Sequence, residues 1–222
     1  MEQNTKAIIL NTREYKEADK LATIFSRDLG KICVRFVGVA KPKAKLKANA
    51  QPFSYSDLEL MRTGDFFKVK TAKLNNSFAE IVTDFDAMKV GYAILETLDK
   101  VLPNAEPEPE IFDLVLDTLT TLNDSANNKQ KILIDFWLKF TFLLGNPIIS
   151  ADADGGYKYV YLDGVDGVIT PVHTHDSVAV DGAVWHTICG TGEKYEMALR
   201  LLYKALRIKF DVVLSSISMF FG

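Results

Sequence analysis

Cysteine is nearly absent from this sequence, since only Cys33 and Cys189 occur in 222 residues. Two cysteines supply neither a disulfide framework nor a four-cysteine zinc site, and such sparse use is typical of a reducing compartment. No apolar run approaches the roughly 20 residues that a membrane-spanning helix needs. The amino terminus, with Glu2 ahead of a short apolar stretch, lacks the pattern of a secretory signal. These absences predict a cytoplasmic protein with no membrane partner.

Catalytic signatures are also missing from the sequence. It contains no phosphate-binding Gly-Lys loop, no G-x-G-x-x-G element and no Ser-His-Asp order, so nucleotide hydrolysis and acyl transfer have no support. We therefore predict that the protein is not an enzyme and has neither catalytic residues nor a cofactor. An enzyme built on His173, His175 and His186 together with Asp residues remains a third hypothesis.

Positive charge is concentrated at the amino-terminal end, although the formal net charge of the whole chain is −3. Residues 1–50 contain 11 Lys and Arg against 5 Asp and Glu, whereas residues 81–128 contain 2 against 10. Salt screens surface charges beyond about 8–10 Å, so a phosphate backbone responds to the local balance. The first fifty residues therefore favour a polyanionic partner despite a pI near 5.7.

Lysines at alternate positions are the most unusual feature of this basic region. Residues 41–47 place Lys on every second position, and Gln51-Pro52-Phe53 follows. We interpret the run as a mobile cationic arm that stands off a strand end and contacts DNA phosphates; a solvated loop that serves only solubility is the alternative. The candidate DNA-binding residues are Lys16, Lys20, Lys31, Arg35, Lys41, Lys43, Lys45 and Lys47.

Hydrophobic periodicity predicts an α+β multidomain protein. Residues 1–80 contain five short alternating stretches between Gly and Pro turns, which indicates an N-terminal OB-fold β-barrel. Residues 81–147 change to helical spacing and predict a central α-helical domain. Residues 148–192 form a small β-rich segment, and residues 193–222 provide a final helix that packs on the helical domain. The barrel aromatics Phe36, Phe53 and Tyr55 are either core residues or base-stacking platforms.

Three motifs in the same order resemble the bacterial RecO family of recombination mediators. They are the E-x-D-K motif at residues 17–20, Q-P-F at residues 51–53 and L-L-G-x-P at residues 143–147. The resemblance implies an N-terminal OB fold, a helical middle and a zinc-ribbon-like segment. It also implies binding of single- and double-stranded DNA, strand annealing, and RecA loading with RecR in recombinational (RecF-pathway) repair of DNA damage in the nucleoid. The acidic C-terminal tail of single-strand-binding protein (SSB) is a further implied partner.

The expected zinc ribbon is where the sequence departs from that family. Many members carry paired cysteines after the L-L-G-x-P motif, but residues 148–156 contain none. We therefore predict a degenerate ribbon without metal. A metal site built from His173, His175, His186 and Cys189 stays conceivable, because two histidines two positions apart on a strand share one face.

The third predicted helix, residues 129–144, is more apolar than one core stripe requires. Phe136, Trp137 and Phe140 indicate either core packing or a groove for an acidic tail, with Lys131 and Lys139 nearby. Together with the acidic residues 81–128, this helix supports a second hypothesis, an OB-fold protein-interaction adaptor without direct DNA contact. The two hypotheses differ in whether residues 1–80 alone bind an oligonucleotide.

Overall fold

The computed structural model describes residues 2–64, 66–124, 128–150 and 159–221. The chain forms two compact units, Met1–Asp124 and Ser125–Gly222, and each is described by itself below. Within the described ranges, no helix is both long and apolar enough to cross a membrane.

Five strands of the first unit close into a barrel of order β1-β2-β3-β5-β4. They are β1 (Glu2–Tyr15), β2 (Asp19–Ser26), β3 (Gly30–Phe36), β4 (Tyr55–Thr63) and β5 (Phe66–Asn76). Neighbouring strands are antiparallel except β3 and β5, which close the barrel in parallel where Val34 pairs with Phe67 and Arg35 with Lys68. This is the five-stranded barrel of an OB fold, so the predicted fold of residues 1–80 is confirmed.

Alternation along the strands separates the barrel core from its outer wall. Ala22 and Ile24 of β2, and Val34 and Phe36 of β3, have no exposed surface. Side chains at alternate positions of a strand point to the same face. The residue between the two core positions of β3, Arg35, therefore lies on the outer face of the wall.

Three helices complete the first unit: α1 (Ala79–Thr83), α2 (Phe85–Val101) and α3 (Pro109–Asp124). Helix α2 begins after Asp84, whose side chain accepts hydrogen bonds from the first free backbone N–H groups. Phe53 is buried, and its ring meets that of Tyr92 on α2 edge to face at a centroid distance of 5.0 Å. A Cβ on Gly91 would lie 2.7 Å from the Phe53 ring, so the close approach of α2 to the barrel depends on this glycine.

A second set of contacts joins the barrel to α3. The rings of Phe25 and Phe112 lie 5.6 Å apart, and the Arg27 guanidinium donates to both carboxylate oxygens of Asp113 at 2.9 and 3.2 Å. The bidentate geometry fixes α3 in orientation as well as in position. The unit boundary consequently falls between α3 and the next helix. The predicted boundary at residue 80 lies inside one unit, and the predicted helical domain 81–147 is divided between the two.

The second unit combines helices with a small sheet. Its elements are α4 (Lys129–Leu143), β6 (Tyr161–Asp163), β7 (Ile169–Thr170), β8 (Ser177–Ala179), α5 (Gly182–Ile188), α6 (Tyr195–Phe210) and α7 (Ser218–Phe221). The sheet has the order β7-β6-β8 and α6 packs against α4 and α5, in agreement with the predicted C-terminal strands and final helix. Phe136, Trp137 and Phe140 of α4 are buried, as core packing requires, while Phe142 is 71% exposed.

Candidate nucleic-acid interface

The lysine run lies in a folded loop, residues 37–54, that joins β3 to β4 and is called the lysine loop below. Backbone turns link Ala44 to Lys41 and Lys47 to Ala44, and a single 3₁₀ turn, Ala48–Ala50, follows. Val39 and Ala50 are buried in the barrel core, and Leu46 packs against that core. The prediction of an arm standing off the barrel is therefore wrong, because apolar residues at both ends and in the middle of the loop dock it onto the barrel.

The E-x-D-K motif fixes the start of the lysine loop. Asp19 is 6% exposed and accepts hydrogen bonds from the Gly38 backbone N–H at 2.8 Å and from the Arg35 Nε at 2.7 Å. The Gly38 N–H and the Arg35 guanidinium together hold the pKa of Asp19 below its ordinary value. The Ala40 N–H also donates to the Ala18 carbonyl at 3.0 Å. This motif is thus a structural clamp between the β1–β2 turn and the loop.

The four lysines of the loop, Lys41, Lys43, Lys45 and Lys47, are all exposed. None of them forms an ion pair with any residue that the structure describes. Lys70 of β5 offers a contrast, because hydrogen bonds to Glu2 and Glu59, both at 2.8 Å, raise its pKa and hold its charge. A phosphate would have to displace Glu2 and Glu59 to contact Lys70, whereas no described carboxylate has to be displaced from the loop lysines.

Lys16 and Lys20 lie beside the lysine loop. Lys16 occupies the β1–β2 turn with a φ of +56°, and its side chain is exposed. Lys20 is half-buried, and its Nζ lies 3.6 Å from the Oε1 of Glu14. Lys20 and Lys47 line the same small cavity of about 160 Å³ between the barrel wall and the loop. The loop and the β1–β2 turn therefore form one cationic end of the barrel.

Lys31 is not part of this surface. Its side chain is buried, its Nζ donates to the Asp99 backbone carbonyl near the end of α2, and burial lowers its pKa. Lys31 and Arg35 stand near opposite ends of β3, and the three strand residues between them give a separation of roughly 13 Å. Charge alone led the sequence interpretation to include Lys31 among the DNA contacts. Its position shows an anchor to the carboxyl end of α2, where a cation is favourable.

A small apolar pocket at the same barrel end escaped the sequence interpretation. It has a volume of about 80 Å³ and lies where β1 and β4 end and β5 begins; we call it the rim pocket. The lining residues are Tyr15, Leu21, Arg35, Thr63, Phe66, Phe67 and Lys68. Phe66 is 51% exposed, and the Arg35 guanidinium lies 5.3 Å from the centroid of the Tyr15 ring. Locating the pocket requires the register of β3 against β5, which local sequence does not reveal.

Two of the three aromatic residues proposed as stacking platforms are core residues. Phe36 and Phe53 are 0% and 1% exposed, and Tyr55 packs against Phe112 with a centroid distance of 6.3 Å. The core alternative is thus confirmed for Phe36 and Phe53, whereas Tyr55 is half-buried.

A wide groove of the first unit, about 1120 Å³, differs from the lysine end in its charge. Its lining contains the cations Lys6, Arg27 and Lys73 and the anions Asp28, Asp57, Glu59 and Asp113. Cations and anions nearly balance along it, so this groove is a poor match for a polyanion.

The histidines of the second unit do not converge. His173 packs against Tyr161 at a centroid distance of 4.8 Å, His175 is 98% exposed in its side chain, and His186 and Cys189 lie at the surface around the end of α5. In the described part of the chain, no group of three or more His, Cys, Asp or Glu is placed to hold a metal ion. Residues 151–158, which include Asp152 and Asp154, lie outside that part.

Comparison with known proteins gives matches to two family models. Residues 1–78 match the model described as "Recombination protein O N terminal", and residues 82–156 match "Recombination protein O C terminal". Among curated proteins, the chain is 36% identical over 113 residues to the DNA repair protein RecO of Desulfitobacterium hafniense, a match covering 51% of this chain and 41% of the relative.

Two further relatives extend the match. The DNA repair protein RecO of Desulforamulus reducens is 33% identical over 133 residues, covering 60% of this chain and 51% of the relative. The DNA repair protein RecO of Mycoplasma capricolum is 31% identical over 154 residues, a match that covers 67% of this chain and 60% of the relative. The chain thus spans about half the length of the curated relatives that it matches.

Proposed function

Since this chain belongs to the RecO family of DNA repair proteins, we propose that it binds the phosphate backbone of single-stranded DNA through the lysine loop and the adjoining barrel end. The observation that carries the proposal is the docked lysine loop with four exposed lysines, none of which forms an ion pair with a residue that the structure describes. Each phosphate that a lysine neutralises releases condensed counterions, so several weak contacts add up to usable affinity. Lys16 and Lys68 extend the contact surface, while Lys31 is left out of it.

Part of the acidic segment 81–128 contacts the barrel at the end of β3 opposite the start of the lysine loop. Helices α2 and α3 meet the barrel near the start of β3, where Lys31 donates to Asp99 and a Cβ on Gly30 would touch the Glu106 backbone. The lysine loop leaves from the other end of β3. The contacts of Asp99 and Glu106 therefore lie at the opposite end of β3 from the start of the loop, while Tyr92 of α2 packs against Phe53 near the far end of the loop.

We extend the proposal to the activities that family membership suggests. Neutralising two phosphate backbones at once lowers the repulsion that slows their pairing, which supports strand annealing and contact with duplex DNA as well. We further propose a non-catalytic role in recombinational repair in the cytoplasm, in which the protein acts with RecR and the acidic tail of SSB to assist RecA loading.

A second candidate function is a protein-interaction adaptor. Two apolar side chains at the start of the helical layer, Val82 and Phe85, are 55% and 63% exposed within the acidic region. Contiguous exposed apolar patches mark sites where partners bind, and these two side chains lie three positions apart in the sequence.

A salt titration of the whole chain separates the two functions. Fluorescence anisotropy of a labelled single-stranded oligonucleotide, measured from 50 to 300 mM salt, should give a straight line of log K against log salt. If all four loop lysines contact phosphate, the slope should be about −3 or steeper, at roughly 0.7 per contact. A chain that does not bind the oligonucleotide at 50 mM salt would leave the adaptor as the better hypothesis.

The whole chain is the right sample because residues 1–80 lack the partners of the barrel surface. In that fragment Phe25 would lose Phe112, and Phe53 would lose Tyr92. Weak binding by the fragment would then report misfolding rather than the absence of a DNA site.

A further inference from the structure

The rim pocket presents an aromatic side chain that the fold does not use. Phe66 follows the β4–β5 turn and is 51% exposed, and among the described residues its ring has no aromatic partner. The inner neighbour, Phe67, packs against the barrel core and already serves the fold at this point of β5. Single exposed apolar side chains are common on protein surfaces, so what bears on binding is the combination of this ring with the pocket beside it.

A flat cationic surface forms another wall of the pocket. The Arg35 guanidinium lies over the Tyr15 ring at 5.3 Å, and hydrogen bonds to the buried Asp19 hold the guanidinium plane in place. Leu21, 5% exposed, provides an apolar floor. Because the Asp19 carboxylate neutralises the charge of Arg35 and fixes its guanidinium group, Arg35 acts here as a rigid plane for stacking.

The pocket is suited to a single flat ring. Its volume of about 80 Å³ lies well below the roughly 300–1,000 Å³ of pockets that enclose a whole ligand, so a ring enters part-way and the rest of the ligand stays outside. Lys68 of β5 lies opposite Arg35 of β3 in the strand register, so its side chain stands beside the pocket. Lys16 lies in the adjoining β1–β2 turn. A flat ring joined to phosphates on both sides satisfies the apolar pocket and its cations together.

We propose that the rim pocket stacks one nucleobase of the bound strand, between Phe66 and the Arg35–Tyr15 pair, while Lys68 and the lysine loop hold the neighbouring phosphates. This inference rests on the proposed DNA binding and adds to it a base-contacting position. Bases stack on aromatic rings and guanidinium planes with little regard to sequence, so the site accepts any base. A base inside a duplex is unavailable until it is unpaired and unstacked, so the pocket favours single strands.

The test compares two ligands that carry the same number of phosphates. Anisotropy titrations of the whole chain use a 20-nucleotide single strand and the same strand with abasic sites throughout. The wild-type protein should bind the base-containing strand roughly 5- to 150-fold more tightly, the range expected for one stacked base. Phe66→Ala should lower affinity for the base-containing strand to the abasic level and leave the abasic strand unchanged, and Phe66→Trp should keep the preference.

Phe85→Ala is the matched control, because Phe85 is 63% exposed in the same unit but lies on α2 away from the pocket. It should retain the full preference for bases. Equal affinity of the wild-type protein for both strands would overturn the stacking site while leaving backbone binding intact. An equal loss for both strands in Phe66→Ala would also overturn it. Failure to bind either strand at 50 mM salt would overturn the proposed function itself.

Discussion

Replacing the four loop lysines with alanine should reduce the salt dependence of DNA binding and leave the fold intact. Lys41, Lys43, Lys45 and Lys47 are exposed, whereas the apolar residues that dock the loop, Val39 and Leu46 among them, are untouched by the change. Surface substitutions of this kind alter the free energy of unfolding by about 0.5 kcal/mol or less each. Any large change in DNA affinity would therefore come from lost phosphate contacts.

The size of the effect follows from counterion release. Each phosphate contact to a single strand contributes roughly 0.7 to the slope of log K against log salt, so four contacts contribute about 2.8. Between 50 and 200 mM salt, a slope of that size corresponds to roughly a 50-fold change in affinity. Over this interval the affinity of the wild-type chain should therefore fall about 50-fold further than that of the quadruple variant. The slope of log K against log salt that remains in the variant should report the contacts outside the loop.

The matched control removes the same charge from the second unit. Lys139, Lys194, Lys204 and Arg207 are exposed cations of that unit, and their replacement by alanine changes the net charge equally. Anisotropy titrations at four salt concentrations, with circular dichroism to check folding, would compare the three proteins. A slope that stays at the wild-type value in the loop variant, or falls equally in the control, would refute the local contact surface.

Three further predictions concern the framework of the site. Lys31→Met should leave the affinity for a single strand within about twofold of wild type, since a buried ammonium makes no phosphate contact; a loss as large as that of a loop lysine would contradict this. Gly91→Ala should lower the free energy of unfolding in urea by about 1–3 kcal/mol through overpacking. Gly182→Ala, where a Cβ meets nothing within 4 Å, should be neutral or slightly stabilising, and similar losses in both would refute the packing account. Asp19→Asn tests pH dependence: the folded pKa of Asp19 is lowered, so its stabilisation is present above about pH 3.9, the ordinary carboxyl value, and is lost as the pH falls through the folded value. The stability gap between wild type and Asp19→Asn should thus be constant from pH 5 to 7 and narrow below about pH 4, and a gap unchanged at pH 2.5 would argue against the clamp.

The barrel could be predicted from sequence because its signals are local. Alternating apolar residues and the turn at Gly64 mark strands without reference to the rest of the chain. The pairing of β3 with β5 is not local, and it determines which outer-face residues meet at the rim pocket. Phe66 and Arg35 are 31 positions apart in the sequence, and only the barrel register brings them to one pocket.

Two cations of the same strand have different structural roles, because those roles depend on contacts with distant parts of the chain. Lys31 and Arg35 belong to one strand, yet Lys31 is buried against α2 and Arg35 is clamped to Asp19. The apolar anchors of the lysine loop were hidden because Leu46 stands alone between lysines, where periodicity gives no core signal. The change from strand to helical spacing near residue 80 was correctly predicted, but the limit of the compact unit depends on Phe25 and Phe112, which no local pattern connects.

The contacts between the barrel and α3 also determine when the first unit is completed during synthesis. Arg27 meets Asp113 across 86 positions, and Phe25 meets Phe112 beside it. A ribosome adding about 5–20 residues per second needs roughly 2–9 s to proceed from residue 80 to residue 124. For that interval a nascent barrel with all five strands would still expose Phe25 and Phe53, both of which are buried in the finished unit. A translational pause shortly after residue 80 would prolong this aggregation-prone stage, whereas one after α3 would fall on a unit that has already closed.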